Sequence, residues 1–388
     1  MTEIQTYAAI VVGGGAVGLS AARELGRRGI HTLVLEAGPL FHDHASSAGT
    51  ERHSRVQYSQ EDLSRLALET AAEWDRLESE SGRRLRHRVG SLWFGDVDVD
   101  TNEGQITSAA RVMDKLDIPY EWLTAREITD RFGFRDLPAD YAGFLQPDGG
   151  IVDVKATLLA LYELSIRSGV HVTPNAPVRS IEPETDTVRV VTDSGTYRTS
   201  SLVVAAGPAT ARLLRPFGVD MDYRVFEMAN LSFVPSNGRV ELPFWFAFQQ
   251  PTERDTNLFY GFGPRPWATD SACRVAPMFE IDEITAETVP TLRPKAYDVD
   301  RVHDWVRTHM PMLEARAVSA TTCLAVLPRD PARQFYFGPV TAPGAGTARI
   351  ATFAAGWGFK FVPILGRVLA DWACTGKTDV DVQRLSVS

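Results

Sequence analysis

Residues 7–36 constrain the fold more than any other stretch of the chain. Ala8, Ala9, Ile10, Val11 and Val12 form a short apolar run of strand type. Gly13, Gly15 and Gly18 follow as G-x-G-x-x-G, and Leu19, Ala22, Arg23 and Leu25 recur at helical spacing, closed by Gly26 and Gly29. Residues 31–35 read as a second strand with Glu36 at its end. This is the order a dinucleotide site requires. Gly13 permits the tight turn, Gly15 lets the backbone approach a pyrophosphate, and Gly18 lets the helix pack closely on the strand. The helix N-terminus offers free N–H groups to phosphates, and Glu36 is an acceptor for the hydroxyls of an adenosine ribose. The pattern does not choose between FAD and NAD.

A chain of 388 residues is too long for one small core, so two domains are expected. The balance of 40 Lys+Arg against 49 Asp+Glu gives a net charge of −9, which argues against a nucleic-acid surface. The first strand begins within a few residues of Met1, which leaves no room for a cleaved signal peptide, and no apolar run is long enough to span a bilayer. A cytoplasmic protein with no membrane partner is expected. Cys273, Cys323 and Cys374 are far apart, with neither metal-type spacing nor a disulfide framework, so no metal is expected.

The loop at 37–57, rich in Ser, His, Gly and Arg, is too long for a plain connector and is expected to cover a ligand; it holds Arg52 and Arg55. Ser59 with Asp62 reads as the cap of a helix whose apolar face is Leu63, Leu66, Ala67, Thr70, Trp74 and Leu77. Sheet segments are expected at 90–95 and 143–145. Thr124 and Glu127 form a capping box for a short helix ended by Gly133, and Asp153 caps another that runs to Gly169. Short strands follow at 170–173, 188–192 and 202–205. The last leads into Ala205, Ala206 and Gly207, a buried strand with a turn after it. Residues 222–321 carry Phe244, Trp245, Phe246, Phe248, Phe259, Tyr260, Phe262 and Trp267, which suggests an antiparallel sheet walling a pocket or a plain sheet core. A strand at 348–353, a turn at Gly356, Trp357 and Gly358, and a helix opened by Pro363 close the chain.

Together the fingerprint, the Arg52/Arg55 loop, the strand ending at Gly207, Cys323 and the turn at 356–360 resemble the monomeric sarcosine oxidase family of FAD amine oxidases. The resemblance covers essentially the whole chain. The runs at 51–58 (ERHSRVQY), 90–95, 144–150 (FLQPDGG), 244–251 (FWFAFQQP), 257–263 (NLFYGFG) and 322–328 (TCLAVLP) look closer still to a member that aromatises a cyclic imino acid.

The resemblance implies an α/β, two-domain FAD-dependent oxidase. Its Rossmann-type nucleotide domain would be assembled from 1–88, 153–222 and 322–388, and its antiparallel-sheet substrate domain from 89–152 and 223–321. Gly13, Gly15, Gly18, Glu36, Arg52, Gly207, Gly356 and Gly358 would contact FAD. Cys323 would carry it through a bond from sulfur to the 8α-methyl carbon; from spacing alone this residue reads as a small buried hydrophobe. Arg55 and Lys360 fall where the family clamps a substrate carboxylate. By themselves they read as a solvated loop arginine and, between Phe359 and Phe361, an exposed tip on a buried stem. Trp357 matches an aromatic beside the flavin, and Glu103 an active-site carboxylate; alone, Glu103 reads as a loop acid between Asn102 and Gly104.

Two departures stand in residues 274–279. Met278 replaces an acid of the close relative, and Arg274 stands where sarcosine-type members carry a lysine for O2. The implied activity is oxidation of piperideine-2-carboxylate to picolinate in two two-electron steps, with O2 reduced to H2O2 by a monomer. A sarcosine- or pipecolate-type secondary amine oxidase, a flavoprotein subunit without a complete site, and an NAD-linked dehydrogenase are the alternatives.

Overall fold

Four apolar residues, Ala9–Val12, are wholly buried because the strand they form is covered on both sides. Ala9 and Val11 face a layer of helices, while Ile10 and Val12 face a second sheet. This alternation is what a central parallel strand imposes on its side chains. The computed structural model describes residues 4–253, 255–278, 283–285, 288–330, 333–341 and 343–382. Phe279, within the stretch 274–279, lies outside the described residues.

The strand sits inside a six-stranded sheet ordered His171–Thr173, Thr32–Leu35, Ala9–Val12, Ser201–Val204, Arg349–Ala354 and Tyr336–Val340. The first five are parallel and the last is antiparallel. Helices Ala16–Arg27, Val154–Arg167 and Val362–Thr375 pack together beside it. On the last of these Ile364, Leu365, Val368, Leu369 and Trp372 are buried, each worth about 1.5–3 kcal/mol of transfer from water. A four-stranded sheet, Gln5–Thr6, Thr196–Thr199, Thr187–Thr192 and Val178–Glu184, covers the opposite face.

The aromatic stretch forms an eight-stranded sheet. Its order is Ser319–Pro328, Tyr223–Phe233, Cys273–Pro277, Phe259–Phe262, Phe244–Phe248, Ser91–Gly95, Ala142–Gln146 and Glu121–Thr124. All pairings are antiparallel except that of Phe244–Phe248 with Ser91–Gly95. Phe244, Phe246 and Phe248 join Tyr260, Phe262 and Met278 on one face. Trp245 and Ala247 join Val302, Trp305 and Val306 of helix Ala296–His309 on the other. The run FWFAF is thus apolar throughout because both faces are covered. Strand Ser319–Pro328 spans residues 321 and 322, where the expected division of the chain falls, and pairs along its length with Tyr223–Phe233. A small three-stranded sheet, Glu51–Ser54, Gly150–Asp153 and Arg86–Arg88, joins the two parts.

Local signals behave unevenly. Thr124 Oγ1 accepts from Glu127 N, and Glu127 closes the box on Thr124 N, ahead of helix Ala125–Phe132 and Gly133 at φ +77°. Asp153 Oδ1 accepts from Ala156 N as expected. Ser59 is not a cap: its Oγ accepts from Gln105 N at 2.9 Å, and helix Glu61–Ser81 begins after Gln60 with no side-chain cap. Gly26 does not end the first helix but lies inside it, where a Cβ would come within 2.8 Å of Val170 and 2.9 Å of Ser168.

Candidate active site

The glycine turn leaves no room for side chains. A Cβ at Gly13 (φ +106°) would lie 2.3 Å from Ala205 O, and one at Gly18 would lie 1.9 Å from Gly13 O. Strand, turn and helix therefore meet backbone to backbone. Gly15 precedes helix Ala16–Arg27, whose first turn holds no acid to compete for an anion. Glu36 accepts from Gly14 N at 2.6 Å and Gly38 N at 3.0 Å, which fixes its carboxylate at the strand end.

From this turn a long cavity runs between the two large sheets. Its walls include Gly13, Gly15, Glu36, Arg52, Gly207, Cys323, Gly356, Trp357, Gly358 and Lys360. Gly18 lies behind the turn. Gly356 (φ +82°) allows close approach to Gln334, and Gly358 does the same for Phe353. Arg52 braces the loop, donating to the carbonyls of Ser46, Ala48 and Glu51. Cys323 is half-buried on strand Ser319–Pro328, and Asn230 Nδ2 donates to its Sγ at 3.4 Å. Trp357 is half-buried and also lines a polar cavity with Asp100 and Thr252.

Arg55 and Lys360, which alone read as solvated residues, are both buried. Arg55 Nη2 lies 2.5 Å from Glu103 Oε2, with both side chains almost fully removed from water. The guanidinium is boxed by the rings of Tyr58 at 4.5 Å, Trp93 at 4.9 Å and Phe246 at 5.7 Å. Arg55 Nε and Nη1 have no partner among the described residues. Glu103 and Lys360 line the central cavity, whereas Arg55 lines a second cavity with Arg86 and Gln146, and Lys360 borders both. Lys360 Nζ stands 2.9 Å from His53 Nε2, and its carbonyl accepts from Trp74 Nε1 at 2.8 Å. Burial, and secondarily Arg55, hold the Lys360 ammonium well below the ordinary lysine range, with Glu103 opposing. Burial and the cations Lys360, Arg55, Arg52 and Arg274 likewise depress His53. Burial pushes the Tyr260 phenol up to about 12; Arg274 opposes this, and Cys323 adds to it.

Arg274 also lines the cavity, stacked 4.1 Å over Phe262, but its Nε is engaged with Glu51 Oε1 at 3.0 Å. Met278 gives the wall an apolar, buried surface. His53, Asn230 and Glu51 were not foreseen as site residues. His53 lies between Arg52 and Arg55, so its neighbourhood was open to detection, while Asn230 carries no such signal.

The strand–glycine turn–helix unit and a cavity walled by buried cations and aromatic rings define a dinucleotide-dependent oxidoreductase acting on small molecules. The chain belongs to the FAD dependent oxidoreductase family, whose pattern matches residues 8–372. The solved open form of NikD, an amino acid oxidase essential for nikkomycin biosynthesis, is 48% identical, with a TM-score of 0.93, over 98% of this chain and 97% of that one. A monomeric sarcosine oxidase from Streptomyces avermitilis is 29% identical over 96% of this chain and 95% of its own. A much longer Dictyostelium discoideum protein, named as a bifunctional amine oxidase, is 29% identical over 98% of this chain, which spans 37% of its length. The resemblance to sarcosine oxidases therefore holds across the chain. FAD fits the residues present: the backbone of Gly13, Gly14 and Gly15 lines the cavity ahead of a helix N-terminus, and Glu36 stands at the end of the second strand. No helix among the described residues is long and apolar enough to cross a membrane.

Proposed function

We propose that this FAD-dependent oxidase acts on a cyclic imino or amino acid, with piperideine-2-carboxylate, converted to picolinate, as its substrate. The observation that carries the reading is Lys360. A buried lysine in the cavity wall, beside a buried guanidinium that pairs with Glu103 and keeps two donors without a hydrogen-bond partner among the described residues, suits an incoming anion. The 48% identity to an amino acid oxidase supports the same substrate class.

FAD, when bound, would supply a two-electron acceptor for a C–H next to nitrogen, with O2 as the final acceptor and hydrogen peroxide as its product. Lys360 and Arg55 would hold the carboxylate, one as a point charge and the other as a planar fork. Glu103, the carboxylate of the wall on Arg55, would face the ring nitrogen. Phe246, Tyr260 and Trp357 would sandwich a flat ring and exclude water. Gly13, Gly15, Gly18, Glu36, Arg52, Gly207, Gly356 and Gly358 would hold the cofactor. The positive end of helix Val362–Thr375, whose first residue lines the cavity, favours negative charge there. Two successive two-electron steps remove four hydrogens from the ring and consume two O2.

Cys323 would carry FAD through a thioether, the Asn230 amide helping to hold a thiolate. Acid-precipitated protein is expected to stay yellow, and Cys323→Ser to release flavin into the supernatant; equal release from both overturns the linkage. The nucleotide part would comprise 1–88, 153–222 and 322–388, and the substrate part 89–152 and 223–321. The protein would act as a cytoplasmic monomer. One observation favours a second substrate. Met278 leaves Glu103 as the carboxylate for a ring nitrogen, which suits a secondary amine of the sarcosine or pipecolate kind equally. Peroxide release with piperideine-2-carboxylate, pipecolate and sarcosine decides. Two peroxides per picolinate formed are expected, and turnover of sarcosine or pipecolate alone overturns the first reading.

A further inference from the structure

Lys360 is anchored at both ends. Trp74 fixes its carbonyl, and at its tip Nζ lies 2.9 Å from His53 Nε2, 307 positions away in the chain. An ammonium has three donors and no acceptor, so two basic nitrogens at this distance need a lone pair on one of them. The imidazole supplies it. Four cations act on His53, namely Lys360, Arg55, Arg52 and Arg274. Phe244 stacks on its ring at 4.7 Å, and Phe246 meets it edge-on at 5.8 Å. With Lys360 as the ammonium, the ring is neutral and carries its proton on Nδ1. The groups facing Lys360 are His53, Arg55, Glu103 and the ring of Tyr58 at 5.6 Å.

We propose that His53 is a positioning residue, accepting one Lys360 N–H so that the ammonium stays charged and in place for the substrate carboxylate. This rests on the carboxylate clamp proposed above. In a wall of Phe244, Phe246 and Phe361, the imidazole replaces a water that the buried ammonium has lost. Without that acceptor the protonated form of Lys360 is less favoured, and the anion site empties at lower pH.

The test uses flavin-loaded protein and titrates picolinate by the change in flavin absorbance, from about pH 6 to about pH 10, a window around the histidine and lysine ranges. His53→Phe keeps a ring for stacking and removes the acceptor, while His53→Gln keeps an acceptor. The phenylalanine variant is expected to bind picolinate roughly ten-fold or more weakly, the value of one hydrogen bond to a charge, with the alkaline limb moved to lower pH. Glutamine is expected to restore part of both, and KM to change more than kcat. Nitrogen-15 shifts of His53 in the wild type should show a protonated Nδ1 and a bare Nε2, a readout that needs no variant. An unmoved limb and affinity in His53→Phe, equal losses in both variants, or a proton on Nε2 beside a charged Lys360 overturns the proposal. A wild-type protein that binds no carboxylate overturns the clamp itself, and this proposal with it.

Discussion

Arg55 and Glu103 illustrate what burial does to a charge. In the sequence each reads as a loop residue; in the fold they lie 2.5 Å apart with their side chains almost fully removed from water. Breaking such a pair leaves the survivor uncompensated, so Glu103→Ala is expected to lower stability by about 3–5 kcal/mol in denaturant unfolding. A loss under about 1 kcal/mol is what a solvated pair gives. His53 supplies a pH dependence of known sign. Its folded value lies below its unfolded one, so the unfolded chain binds the extra proton. Its contribution is complete above about pH 6.5, the ordinary histidine value, and is lost as pH falls toward the folded value, by up to about 1.4 kcal/mol per unit. The thermal midpoint should therefore drop on acidification from about pH 7 to about pH 5, and His53→Phe should flatten that slope. Depressed Lys360 acts in the same sense at higher pH: stability rises with pH until the unfolded lysine also releases its proton.

Elements were legible wherever a local signal had no competitor. The capping box at Thr124 and Glu127 is such a case, because both partners lie within one turn. Thr124→Ala is expected to lower stability by about 1 kcal/mol and to leave peroxide formation unchanged, since helix Ala125–Phe132 lies beyond the cavity. A fall in turnover at full flavin loading would mean that the helix couples to the site. Ser59 had the same local credentials, but Gln105, 46 residues on, claims its hydroxyl through both backbone groups. Gly26 resembles a helix stop until Val170 and Ser168 pack against it. Helix Ile106–Lys115 buries Ile106, Ala109, Ala110 and Met113 at helical spacing but starts without a side-chain cap, so a search led by caps passes over it. For Ser59 and Gly26 the deciding contact is remote in sequence.

At the scale of the molecule the site is a junction. Strand Glu51–Ser54 brings Arg52 and His53, the eight-stranded sheet brings Tyr260, Arg274 and Cys323, and the last turn before helix Val362–Thr375 brings Lys360. Spacing in sequence cannot encode these meetings; resemblance named Arg55, Glu103, Lys360 and Cys323 but not His53 or Asn230, which hold the last two. Glu51 joins two of the parts. It is buried at the head of its strand, with Arg274 Nε at 3.0 Å and Arg265 Nη1 at 3.7 Å, and its carbonyl accepts from Arg274 Nη2 at 3.3 Å. Arg274 in turn stacks on Phe262, which touches Phe244 and so the ring under His53. Glu51→Gln keeps the shape and removes the buried charge that two half-buried guanidinium groups share. It is expected to lower stability by about 3–5 kcal/mol and to raise KM, because the strand carrying His53 loses its tie to the cavity wall. Asp270→Asn is the matched control: Asp270 also pairs with Arg265, but from a side chain 56% exposed, and its loss should stay within about 1 kcal/mol. Should the two variants prove equally mild, with KM unchanged in both, the strand is held by its pairing to Gly150–Asp153 alone, and Glu51 has no part in building the site.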